Sequence, residues 1–147
     1  MEHVKIYATL ALFAFLLHFV WEMLQVPGFA GMAEADHWDA TLFCLRATLG
    51  DVLILWVAYA GSGLAVGDGA WIAGCLTRPV TIFVGVGVAI TMVLEWLNTA
   101  VLGRWAYAPG MPTIAGVGLA PLLQWILVPL LVLWLARRHL GMTGGSV

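Results

Sequence analysis

Four apolar stretches, at about 4–26, 47–66, 80–102 and 117–136, dominate this chain. Each can cross a ~30 Å hydrocarbon core, which takes ~20 residues of helix at ~1.5 Å apiece. A soluble four-helix bundle would carry a polar face on every helix. None of these four stretches has one. The chain is 63% hydrophobic and 10% charged, where an ordinary soluble domain is roughly 25% charged. The 147 residues are therefore expected to form a single all-α domain, a polytopic membrane protein whose four transmembrane helices make two hairpins.

Lysine and arginine placement sets the expected orientation. Lys5, Arg78, Arg137 and Arg138 fall on one side of a four-pass layout, and Arg46 and Arg104 on the other. That bias puts both termini in the cytoplasm, in a cell inner (cytoplasmic) membrane, with outer loops at about 27–46 and 103–116. The N-terminus resembles a signal peptide, but its apolar stretch is longer than a signal core, so it reads as an uncleaved anchor. The inner loop at 67–79 carries turn and breaker signals in Gly67-Asp68-Gly69 and Arg78-Pro79. Its apolar middle, 71–76, is expected in the membrane interface. Cys44 and Cys75 then lie near opposite faces, too far apart to pair, and read as small packing residues.

Two acids interrupt the apolar stretches. Glu22 lies in the first and Glu95 in the third. A carboxylate at the bilayer centre costs on the order of 3 kcal/mol on insertion scales, which makes such residues functional candidates. Both travel with the same companions. His18, Glu22 and Gln25 are matched 73 positions later by Thr91, Glu95 and Asn98, and Asp51 is matched by Gln124. Spacings of four and three stack each triplet on one helix face. Two hairpins of equal topology would be a parallel internal repeat, with its axis along the membrane normal. Chance alignment in so apolar a sequence is the other reading.

Glu22 is placed about one turn below the outer surface, Glu95 about two turns, and Asp51 about one turn into the second helix. With His18, Gln25, Asn98 and Gln124 they would converge in the outer half of the membrane. Single residues of this kind can be interhelix glue, whereas the matched set points to a cavity. Three ionised carboxylates packed together repel, so at least one is expected to carry a proton near neutrality. Arg46 and Arg104 can pair with these acids or snorkel to headgroups. The second outer loop holds Trp105, Tyr107 and Met111 among Gly110 and two prolines, as a stiff lid or as part of the aromatic belt. Trp21 and Trp96 adjoin the glutamates and are expected to flank them with aromatic rings. Pro121, close to Gln124, is expected to free a carbonyl toward the same cavity if it kinks the helix.

His18, Glu22, Asp51 and Glu95 are weighed as a metal site, but Thr91 stands where a second histidine would be needed. No metal or cofactor is expected. Phosphate loops, serine elbows and zinc-protease motifs are absent from the sequence, and no basic stripe points to nucleic acid. The Trp21-Glu22 pair resembles small integral-membrane terpene cyclases over a few residues of one helix, and no residue role is taken from it.

The expectation is thus a small membrane protein that binds or converts an apolar isoprenoid- or lipid-like molecule by carboxyl acid/base chemistry. Glu22 and Glu95 are the candidate acid and base, with Asp51 as a third member. The candidate ligand-binding residues are His18, Trp21, Gln25, Arg46, Trp96, Asn98, Arg104, Trp105, Tyr107 and Gln124. Membrane lipid and an apolar small molecule are the expected partners. An accessory subunit of a larger membrane complex, or a homo-oligomer, is the alternative, and it predicts acids with no cavity between them. A proton, cation or metal transporter is a further alternative. It is disfavoured by the apolar stretches 13–17, 82–88 and 128–135.

Overall fold

A computed structural model describes residues 2–74 and 77–142. Four helices carry the architecture: α1 (Glu2–Gln25), α2 (His37–Val66), α3 (Thr77–Trp96) and α4 (Leu119–His139). All four are long and apolar enough to cross a membrane. A π-helical turn, Leu97–Val101, extends α3, and short 3-10 turns follow α1 and precede α3. Two two-residue strands, β1 (Thr113–Ile114) and β2 (Val117–Gly118), pair antiparallel just before α4. Ala115 and Gly116 between them both have positive φ, as a two-residue type I′ turn requires.

The helices show an apolar face outward. Leu12, Leu16, Val20 and Leu24, one turn apart on α1, are all exposed, as are Leu49, Leu53 and Val57 on α2. This suits hydrocarbon as the surrounding solvent. Helix α1 packs on α2 and α4, and α3 packs on the same two. Tyr7 meets Trp56 and Tyr59, and Phe13 meets His139, so the start of α1 and the ends of α2 and α4 share one end of the bundle. At the opposite, loop end, the Ala30 N–H donates to the Ala106 carbonyl at 2.8 Å and the Ala108 N–H to the Gly28 carbonyl at 2.8 Å. These bonds tie the segment after α1 to the segment after α3.

The two ends are filled differently. Toward the terminus end, Leu10, Leu55, Tyr59, Phe83, Val132 and Ala136 make a continuous buried core. Trp71 and Ile72 fold into it: Trp71 donates from Nε1 to the Tyr59 carbonyl at 3.1 Å and stacks on the Tyr59 ring. Burying the indole while bonding its N–H satisfies both parts of an amphipathic ring. The polar side chains gather toward the loop end.

Several boundaries differ from those read in the sequence. Helix α2 starts at His37, ten residues before the expected 47. Asp36 caps it, its side chain accepting from the Trp38 N–H at 2.8 Å, and Asp39 sits in the favourable first turn. Charged residues lower the hydropathy of 37–46 without interrupting the helix. Arg78 and Pro79 lie inside the start of α3, where a proline costs no intrahelical bond. Pro121 likewise sits in the first turn of α4 and frees no carbonyl; Pro129 is the proline inside that helix. Gly63 and Gly67 close the end of α2, with Gly67 as its left-handed cap. Helices α3 and α4 approach closely at Gly87, where a Cβ would collide with the Trp125 ring, while Gly85 faces open space. Cys44 is buried, and Cys75 lies outside the described residues.

Candidate functional site

Glu22 is the last buried acid of α1, three residues before Gln25 on the same face. Gln25 donates from Nε2 to Glu22 Oε1 at 2.8 Å and to Gln124 Oε1 at 3.2 Å. Trp21 is half-buried and donates to Gln25 Oε1 at 3.0 Å, which fixes that amide's orientation. Gln124 reaches in from the second turn of α4. Its Nε2 lies 2.8 Å from His18 Nδ1, 3.0 Å from Glu22 Oε1 and 3.0 Å from Asp51 Oδ2. An amide nitrogen thus occupies the point that a cation shared by these groups would take. Among the described residues, no trio of His, Cys, Asp or Glu side chains comes together as metal ligands.

Asp51 has both oxygens engaged. Trp125 donates to Oδ1 at 3.2 Å, while Oδ2 faces Gln124 and, at 3.3 Å, His18 Nδ1. It lies about four turns into α2, because that helix begins at His37. His18 is wholly buried behind Gln124 against the Trp125 ring, and its Nε2 has no partner.

Glu95 is held from a different quarter. Trp105 donates to Oε2 at 3.3 Å, and the Tyr107 hydroxyl donates to the same oxygen. The Phe29–Tyr107 bridge holds the loop in place for this, and Gly118 leaves room for the Tyr107 ring. Burial, and then the bond to Glu95, push the Tyr107 phenol above its ordinary pKa. It therefore stays protonated as a donor. Asn98, in the π-helical turn, donates to the Leu94 carbonyl at 2.7 Å and accepts from Arg104 Nη1 at 3.2 Å.

These groups surround a cavity of about 570 Å³. Glu22, Asp51, Glu95, Gln25, Asn98 and Gln124 line it, with Arg46, Arg104 and Trp105 toward the loop end. Of the two readings of the arginines, pairing with the acids is not seen: among the described residues, neither forms an ion pair with a carboxylate. Four candidates lie off the cavity. His18 and Tyr107 stand behind its lining, Trp21 braces Gln25, and Trp96 is 55% exposed on the outer face. Trp96 follows Glu95 by one residue, about 100° around the helix, so the two point apart. Met111 lies against Gly28, not over the opening.

The aromatic and aliphatic walls come from elsewhere, from Phe29, Phe43, Ile54, Leu94 and Trp125. Phe43, Ala47, Gly50 and Ile54 form a stripe at spacings of four, three and four on α2. That signal was readable only with the helix begun at 37. Thr91 also lines the cavity. Thr41, Thr48, Thr81 and Thr99 donate to the carbonyl four residues back, whereas the buried Thr91 hydroxyl has no partner.

The two glutamates share one property. Glu22 accepts its bonds on Oε1 and Glu95 on Oε2. In each, the other oxygen has no partner among the described residues and is not fully buried, and both residues line the cavity. Each carboxyl is positioned by one oxygen and free at the other, the arrangement proton transfer to or from a bound molecule needs. No protein-family model, curated protein or solved structure matches the chain.

Proposed function

We propose that this is a multi-pass inner-membrane protein, both termini cytoplasmic, that binds and converts an apolar isoprenoid- or lipid-like molecule by carboxyl acid/base chemistry. The observation that carries the reading is the pair of glutamates, each held by one oxygen and open at the other, on one cavity. The cavity volume falls within the ~300–1,000 Å³ of small-molecule sites. Its Phe29, Phe43, Trp105 and Trp125 walls suit an apolar body and can stabilise positive charge over their faces.

In this reading one glutamate gives a proton from its free oxygen to a double bond or oxygen of the substrate. The other takes a proton from a different atom, so the substrate is rearranged without oxidant or reductant. Asp51 and His18 hold Gln124, and Gln124 holds Glu22. The cavity between the acids speaks against the accessory-subunit alternative. The packed core toward the terminus end speaks against a permeation path.

The reading also takes the chain as two hairpins related by a parallel internal repeat. Two features support this. Asp51 and Gln124, counterparts at the 73-residue offset, meet at 3.0 Å as residues on a shared axis would. The packing of α1 and α3 on the same two helices has the matching symmetry.

The test is conversion of a host lipid extract by the purified protein in lipid nanodiscs, followed by liquid chromatography with mass spectrometry, because an isomerised product keeps the substrate's mass and differs in retention. A product should form with the native chain and disappear with Glu22→Gln and with Glu95→Gln, both folded by circular dichroism. Full turnover by both folded variants overturns the assignment.

A further inference from the structure

The polar groups lining the cavity are not equally engaged. Asp51 is engaged at both oxygens, and Glu22 and Glu95 at one each, all by internal N–H or O–H donors. The arginines are the reverse. A guanidinium carries five N–H donors and a charge that proteins do not remove. Arg46 has no hydrogen-bond or ion-pair partner among the described residues, and Arg104 gives one bond, to Asn98. Both are exposed and both line the cavity, so they stand where it opens. Arg104 donates to a buried acceptor, Asn98 Oδ1, which ties its exposed side chain to the cavity lining. The unmet capacity at the mouth is thus cationic and donor-type, the geometry that takes phosphate or carboxylate oxygens bidentately. The rest of the lining sets Phe29, Phe43, Ile54, Leu94 and Trp125 beside Glu22 and Glu95.

Resting on the acid/base reading above, we infer that the ligand is an amphiphile with an anionic, phosphate-type head. Arg46 and Arg104 hold the head at the mouth, and the apolar body runs inward to Glu22 and Glu95. The head fixes which part of the body reaches the acids. It also explains why two arginines share a cavity with three carboxyl groups without pairing to them.

Two chain-matched probes test this, dodecyl phosphate and dodecanol, titrated calorimetrically into the protein in phosphatidylcholine nanodiscs, which carry no net anionic headgroup. Dodecyl phosphate should bind at least about tenfold tighter than dodecanol, the scale of a charge-assisted bidentate contact. Arg46→Gln and Arg104→Gln should each remove most of that preference and leave dodecanol binding unchanged. Arg138→Gln, at the terminus end beside Trp134, should change neither. Adding phosphatidylglycerol to the discs separates the sources of the head. Displacement of dodecyl phosphate by it supports a membrane lipid as the ligand, and no displacement supports a free amphiphile. Inorganic phosphate that competes as well as dodecyl phosphate overturns the amphiphile.

Gly50→Trp separates failure of this inference from failure of the reading beneath it, since a side chain there enters open space on the cavity wall. Equal affinity for both probes, lost for both in Gly50→Trp, overturns the anionic head and leaves an apolar cavity standing. Absence of binding by either probe overturns both.

Discussion

Gln124 touches His18, Glu22, Asp51 and Gln25 at once. Gln124→Leu would leave His18, Glu22 and Asp51 without their shared donor and Gln25 without one acceptor, at about 1–3 kcal/mol for each group left unsatisfied. Thermal unfolding in detergent should fall clearly for that variant, and less for Trp96→Leu, whose ring contributes nothing to the cavity. Tyr107 makes a pH-dependent prediction. Its phenol is raised above the ordinary value of about 10 by burial and by Glu95, so the unfolded chain loses that proton first. The associated stability is complete below pH ~10 and drains away as pH rises beyond it. Tyr107→Phe should flatten that alkaline loss relative to the native chain in melting curves taken between pH 8 and about 11. Glu22, Glu95 and Asp51 were legible in the sequence because an acid in an apolar run is conspicuous. Trp21 and Trp96 misled, because a neighbour in sequence points elsewhere around a helix.

Helix existence was plain from hydropathy, yet helix ends were not. The start of α2 at His37 depends on a cap by Asp36, a local signal that the charged stretch after it disguised. The close approach of α3 to α4 is made at Gly87, against Trp125, which only the packed helices reveal. Gly87→Leu should therefore destabilise by about 1–3 kcal/mol through overpacking, while Gly85→Leu, facing open space, should be close to neutral. Equal melting temperatures for the two variants would contradict the packing of α3 on α4. The loop between α3 and α4 was readable as special from its glycines and prolines. Its attachment to the segment after α1 was not, since that rests on backbone bonds between residues some 80 positions apart.

The bundle holds the cavity's polar groups toward one end and a buried apolar core toward the other. Liposomes carrying the protein should accordingly show no proton or cation flux above empty liposomes, and none that Glu22→Gln or Glu95→Gln alters. A flux dependent on either acid would restore the transport alternative. From the sequence alone came four helices able to cross a membrane, the acids within them, and an apolar half opposed to a polar half. Those properties follow from the transfer energies of individual side chains, which are local. Which side chains meet was decided by the tertiary structure. The hub at Gln124, the single free oxygen of each glutamate and the unpaired arginines at the mouth all depend on how helices rotate against each other. In so apolar a chain, many rotations bury similar surface, and the few polar contacts choose among them.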